Sequence, residues 1–255
     1  MLFCGIDLHS NNSFIVIIDE QDRVVYSRRH ANRLTEILDV LAPYRAELSG
    51  IAIESTFNWY WLVDGLQDVD YSVHLVNTVA VKQYDGMKHR GDESDARHLA
   101  HLLRLGLLPE GYIMPKDKRA MRDLARKRMQ LVQQRSAQII MIESAMQRYT
   151  GARANSNTIK QLTETDLNQL NLDATEILGL HTNLAVMRVL QSQIDRVEAV
   201  LESYCRTDPA FRLLKSTAGI GDVLATVILL ETGEIKRFAG AGNYVSYCRG
   251  VGSTH

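Results

Sequence analysis

The sequence predicts an α/β domain built on a mixed sheet, followed by long helices and a small helical end. Three observations carry this prediction. Strand-like apolar runs alternate with helical stripes over residues 1–112, the period lengthens to steps of three and four over 113–206, and a Gly-x-Gly turn between helical segments marks 207–255. Residues 2–7, 13–18 and 23–27 read as strands, separated by polar turns at 9–12 and 19–22, so an antiparallel meander is expected. Leu34, Ile37, Leu38 and Leu41 then form a helical stripe over 33–42. A strand at 50–54, a helix at 59–67, a strand at 72–76 and a helix starting near Asp92 complete the domain. Three meandering strands followed by alternating helices and strands is the order of a ribonuclease-H-like domain. In that order the first strand and the strand at 50–54 are neighbours.

Four carboxylates stand at the ends of these elements. Asp7 closes the run 2–6, Glu54 closes the run 50–53, and Asp92 and Asp95 open a helix at a spacing that puts both on one face. Singly, each has a structural explanation: Asp favours turns, and acids at a helix start complement its dipole. Jointly they predict a cluster that needs cations, and hard oxygen ligands select Mg²⁺ or Mn²⁺. Two such ions suit a phosphodiester displacement. Lys88, Arg90 and Arg97 flank the acidic pair and are expected to hold phosphates. His9 is a weaker candidate for a phosphate contact, and core packing is the expectation for the aromatic group at 59–61.

The net charge of −1 excludes global basicity as a nucleic-acid signal, but its distribution is uneven. Lys116, Lys118, Arg119, Arg122, Arg126, Lys127, Arg128 and Arg135 face only Asp117 and Asp123 within 116–135. That local excess points to a nucleic-acid backbone. Beyond it, Met121, Leu124, Arg128, Leu131, Ile139, Ile142, Met146 and Tyr149 form one stripe. Leu180, Leu184, Met187, Leu190, Ile194, Val197, Leu201 and Tyr204 form another, a coiled-coil seam. Two helices folded back on each other and helices paired between subunits fit this pattern equally. Gly219-Ile220-Gly221 suggests a helix-hairpin-helix-like turn in which Gly219 and Gly221 let a phosphate approach a helix start. The three scattered cysteines fit a reducing compartment and no structural zinc. No apolar run is long enough to span a bilayer, and the first strand begins too early for a signal peptide. A cytoplasmic location is expected.

Gly5-Ile6-Asp7, Glu54-Ser55-Thr56, the stretch 88–96 with Asp92-Glu93-Ser94-Asp95-Ala96, and Gly219-Ile220-Gly221 with Arg237-Phe238 and Tyr244 together resemble the DEDD transposases of bacterial insertion sequences. The resemblance covers essentially the whole chain. It implies a RuvC-like N-terminal domain with Asp7, Glu54, Asp92 and Asp95 as catalytic, metal-binding acids. It further implies DNA recombination of a mobile element, a guide RNA, and a homo-oligomer (dimer or tetramer) formed through the coiled coil at the nucleoid. It also implies a nucleophilic serine in a C-terminal transposase domain. The chain stops at Gly252-Ser253-Thr254-His255, and Ser253 precedes the place expected for that serine, so C-terminal truncation is expected. A junction resolvase or nuclease with water as nucleophile is the alternative. An actin-like sugar kinase fits the opening Gly5-Ile6-Asp7 but lacks a glycine-rich phosphate turn at 9–12. A catalytically dead pairing module is the remaining reading.

Overall fold

The computed structural model describes residues 1–81 and 91–249, and they fall into two compact units, Met1–Ile113 and Met114–His255. In the first unit β1 (Leu2–Leu8), β2 (Asn12–Asp19) and β3 (Val24–Ala31) are followed by α1 (Leu34–Leu41), β4 (Leu48–Glu54), α2 (Tyr60–Gln67), β5 (Val73–Val76), the short α3 (Thr78–Val81) and α4 (Asp92–Arg104). The sheet order is β3-β2-β1-β4-β5. β1 runs antiparallel to β2, and β2 to β3, while β4 lies parallel to both β1 and β5. This is the ribonuclease-H-like order, and every expected strand is present. The third strand is longer than its apolar run suggests, reaching Ala31 through the polar residues Arg28, Arg29 and His30. An edge strand tolerates that composition because its outer side needs no burial.

Alternation along the strands assigns the two faces of the sheet. Cys4, Ile6, Leu8, Ile15, Ile17, Ile51 and Ile53 face a core completed by Ile37 and Leu41 of α1 and by Leu62, Val63 and Leu66 of α2. The other face is covered by α4, with Val16 and Ile18 against Ala96 and Ala100, and Ala52 against Leu99. Gly5 lies under this helix, where an added Cβ would fall 1.9 Å from the Ala96 carbonyl oxygen and 2.7 Å from the Ala100 nitrogen. Only glycine permits that approach. Far along α4, Arg97, His101 and Arg104 converge on Asp22 in the β2–β3 turn, with His101 Nδ1 at 2.9 Å from its carboxylate. Their charges hold the Asp22 carboxyl below its ordinary value against the opposing effect of burial.

The second unit is helical: α5 (Lys116–Thr150), α6 (Ser156–Gln161), α7 (Glu164–Asn168), α8 (Ala174–Cys205), α9 (Pro209–Lys215), α10 (Asp222–Thr232) and α11 (Ala241–Tyr247). α5 and α8 form an antiparallel hairpin. Arg128 pairs with Glu198 and Arg135 with Gln191, while Ile139 and Ile142 pack with Leu180, Leu184 and Met187. The two stripes therefore meet within one chain. The seam closes on Cys205, which is fully buried, whereas Tyr204 is exposed, a shift of one position from the expected stripe. The connection between the two stripes contains α6 and α7, whose Ile159 and Leu167 join the hairpin core. Their starts, and that of α8, are capped by Asn155, Thr163 and Asp173, the last two in capping boxes with Asp166 and Glu176. No helix among the described residues is long and apolar enough to cross a membrane.

Candidate metal centre

Sheet register begins the site. β1 and β4 pair Ile6 with Ile53, so the next residues of each strand, Asp7 and Glu54, come side by side. Asp7 shares its face with Gly5, and Glu54 shares its face with Ala52, so both acids emerge on the side covered by α4. The helix enters from Gly91, whose φ of 150° favours glycine, and its first turn carries Asp92 and Asp95. Because Gly5 draws α4 onto β1, that acidic turn is brought to the end of the strands.

Asp7 is buried. Its carboxyl is pushed up from 3.8 to about 7, first by burial, then by a hydrogen bond with Glu54 and by the negative charges of Glu54 and Asp95, against the opposing attraction of His9. His9 Nε2 stands 3.1 Å from Asp7 Oδ2 and 3.3 Å from Asp92 Oδ1. Arg29 of β3 donates a hydrogen bond from Nη2 to Asp92 Oδ2. Asp7 Oδ2 and His9 Nε2 are both buried and neither makes a hydrogen bond, although they lie close together. A buried carboxylate oxygen with no donor, beside two further carboxylates, is costly unless a cation or proton is present. The donor set of Asp7, His9 and Asp92, with ligand atoms within 4.8 Å of one another, fits a divalent ion on these grounds.

The four predicted acids thus gather at one end of the sheet. The structure adds His9 and Arg29 to them. His9 carried a usable signal, since two residues beyond Asp7 on a strand means the same face. Arg29 carried none, because its meeting with Asp92 spans the sheet and α4. Arg97 contacts the backbone carbonyl and carboxylate of Asp22, away from the acids. Lys88 and Arg90 lie outside the described residues, as does Ser253.

The basic segment is partly neutralised inside its own unit. Arg119 is buried, Arg122 stands 3.7 Å from the adjacent Asp123, and Arg126 grips Glu231 through two bonds of 2.6 Å. Lys116 and Lys127 are exposed and Lys118 is half-buried. α9, the turn and α10 form the expected helix–turn–helix, with Gly219 at φ +86° and Gly221 capping α10. Lys215 pairs with Asp222 at 2.5 Å at that helix start.

The raised Asp7 carboxyl has a measurable consequence. A group that holds its proton more tightly when folded contributes stability that is full below its unfolded value of 3.8 and is lost as pH rises through about 7. In EDTA, the melting temperature is expected to fall between pH 5 and pH 8 more in the native chain than in Asp7→Asn. Mg²⁺ should restore more at pH 8 than at pH 5, because at low pH it competes with the proton. Equal profiles for the two proteins in EDTA would contradict the burial of an ionisable Asp7.

The sequence matches the family model of the IS110-type DEDD transposases, described as Transposase, over residues 4–150. No curated protein matches the chain. Two solved structures of RuvC from Thermus thermophilus are similar to part of it. The one in complex with a Holliday junction substrate covers 44% of this chain and 99% of its own, at 14% identity and a TM-score of 0.35. The other covers 44% and 100%, at 13% identity and a TM-score of 0.34. The sheet order, rather than this likeness, defines the fold.

Proposed function

The chain belongs to the DEDD transposase family, whose model matches more than half of it, and from that premise we propose that Asp7, Glu54, Asp92 and Asp95 form the metal centre of a DNA strand-cleaving site. The observation that carries this is the buried, donor-less Asp7 Oδ2 within a group of acids. Bound Mg²⁺ or Mn²⁺, as a pair of ions, supplies positive charge to the scissile phosphate and to the oxygens that attack and leave. Asp7 and Glu54 present their oxygens from rigid strand ends, and Asp92 and Asp95 close the site from the first turn of α4. Arg29 fixes Asp92 and balances part of its charge. Deprotonation of Asp7 frees its oxygen for a cation, so metal binding strengthens as pH rises through about 7.

DNA at element ends and targets is the proposed partner, with a guide RNA as the second nucleic acid. Lys116, Lys118 and Lys127, with Lys88 and Arg90 nearer the acids in sequence, are the proposed phosphate contacts. Arg97, Arg119, Arg122 and Arg126 join them only by leaving their present surroundings. Gly219 and Gly221 are proposed to admit a phosphate, provided Lys215 is drawn away from Asp222. Since α5 fills the α8 seam, a homo-oligomer is proposed to use outer apolar positions such as Ile140, Met141, Val186 and Val189, which are exposed. Residues 113–206 are proposed as the pairing segment and 207–255 as part of a C-terminal transposase domain.

Mixing the chain with labelled element-end DNA, in Mg²⁺ and in EDTA, tests this reading. Metal-dependent DNA binding is the expected result. A protease-sensitive DNA adduct would place a side-chain nucleophile within residues 1–255. Nicks with free ends on both sides would favour the water-dependent nuclease. Absence of any metal effect on binding or cleavage would refute the proposed centre.

A further inference from the structure

We propose that His9 is itself a ligand of this centre, giving it a nitrogen donor and a preference for Mn²⁺ over Mg²⁺. The inference rests on the reading of the acids as a metal centre and goes beyond it, because the four acids alone would make an all-oxygen site. His9 is held by its backbone rather than by its ring. Its N–H donates to the Asn12 carbonyl oxygen at 2.9 Å, and its own carbonyl oxygen accepts from Asn32 Nδ2 at 2.8 Å and Asn58 Nδ2 at 3.0 Å. Three segments of the chain therefore fix this residue just past β1. The ring edge remains partly open to solvent, while Nε2 is buried and makes no hydrogen bond.

The separations favour shared ligation over a simple ion pair. Charge-assisted N–H···O bonds are shorter, about 2.7–2.9 Å, and aligned. Nε2 lies at 3.1 Å from Asp7 Oδ2 and 3.3 Å from Asp92 Oδ1, and neither contact has hydrogen-bond alignment. Adjacent ligands of an octahedral ion, with bonds of about 2.1 Å, stand roughly 3 Å apart. Both separations from Nε2 match neighbouring positions of such a polyhedron, and the three ligand atoms all lie within 4.8 Å of one another. An uncharged imidazole nitrogen is a poor partner for Mg²⁺, which prefers oxygen, but is accepted by first-row transition ions. Mn²⁺ is the member of that group best suited to the carboxylates that supply the remaining ligands.

The test uses the full chain and Mn²⁺ alone. Pulsed electron paramagnetic resonance of the Mn²⁺-loaded protein is expected to show ¹⁴N coupling, absent in His9→Gln. Competition calorimetry is expected to show the Mn²⁺-to-Mg²⁺ affinity ratio falling about tenfold or more in that variant. Circular dichroism checks that the variant is folded, and the wild-type spectrum stands as a result without it. Bound Mn²⁺ lacking ¹⁴N coupling, or a ratio unchanged in His9→Gln, would overturn the role of His9 and leave the carboxylate centre intact. Failure of the wild-type chain to bind Mn²⁺ at all would overturn both.

Discussion

Gly5→Ala is expected to destabilise the N-terminal unit by roughly 3 kcal/mol or more, the largest stability effect of any single methyl group considered for this chain. The added carbon would fall 1.9 Å from the Ala96 carbonyl oxygen, a backbone atom that moves only if the whole helix moves. α4 would have to lift from β1, opening its contacts with Val16, Ile18 and Ala52. Because Asp92 and Asp95 begin that helix, divalent-ion binding should weaken together with folding. Gly50→Ala supplies the contrast. There the new carbon meets the tip of the His74 ring at 2.9 Å, and a side-chain tip can turn aside. Urea titration of both variants, with Mn²⁺ binding measured well below each midpoint, checks the expectation. A Gly5→Ala protein as stable as Gly50→Ala would show that α4 does not sit hard on β1.

Asp7→Asn is expected to separate function from stability. Loss of this oxygen should weaken divalent-ion binding, and with it metal-dependent DNA binding, by roughly 100-fold, about 2.7 kcal/mol. The same change removes a buried charge from beside Glu54 and Asp95, so in EDTA at pH 8 the variant should be more stable by about 1 kcal/mol. Mg²⁺ should then raise the melting temperature of the native chain and leave the variant unchanged. Folding holds these acids together against their mutual repulsion. A variant that loses stability in EDTA would mean that Asp7 is a structural hydrogen-bonding group rather than a strained one.

Much of this site was legible because it depends on local periodicity. The runs 2–6 and 50–53 announce buried strands, and an acid immediately after each is conspicuous. Asp92 and Asp95 share a helix face by spacing alone. The caps at Thr163 and Asp173 are also readable, since each is followed three residues later by an acid. The pairing of the basic segment was not legible, for a different reason. Residues 116–135 are cationic in sequence, but Glu198 and Glu231, which neutralise Arg128 and Arg126, lie far along the chain.

What the sequence determined by itself is the set of elements and the acids at their ends, because hydrophobic alternation and helix-start chemistry act between near neighbours. Only the tertiary structure decided how close those acids come, that His9 and Arg29 stand among them, and that the two helical stripes meet within one chain. Those outcomes depend on contacts between distant residues: a missing side chain at Gly5 sets the depth of α4, and that depth sets how strongly Asp7 feels its neighbours.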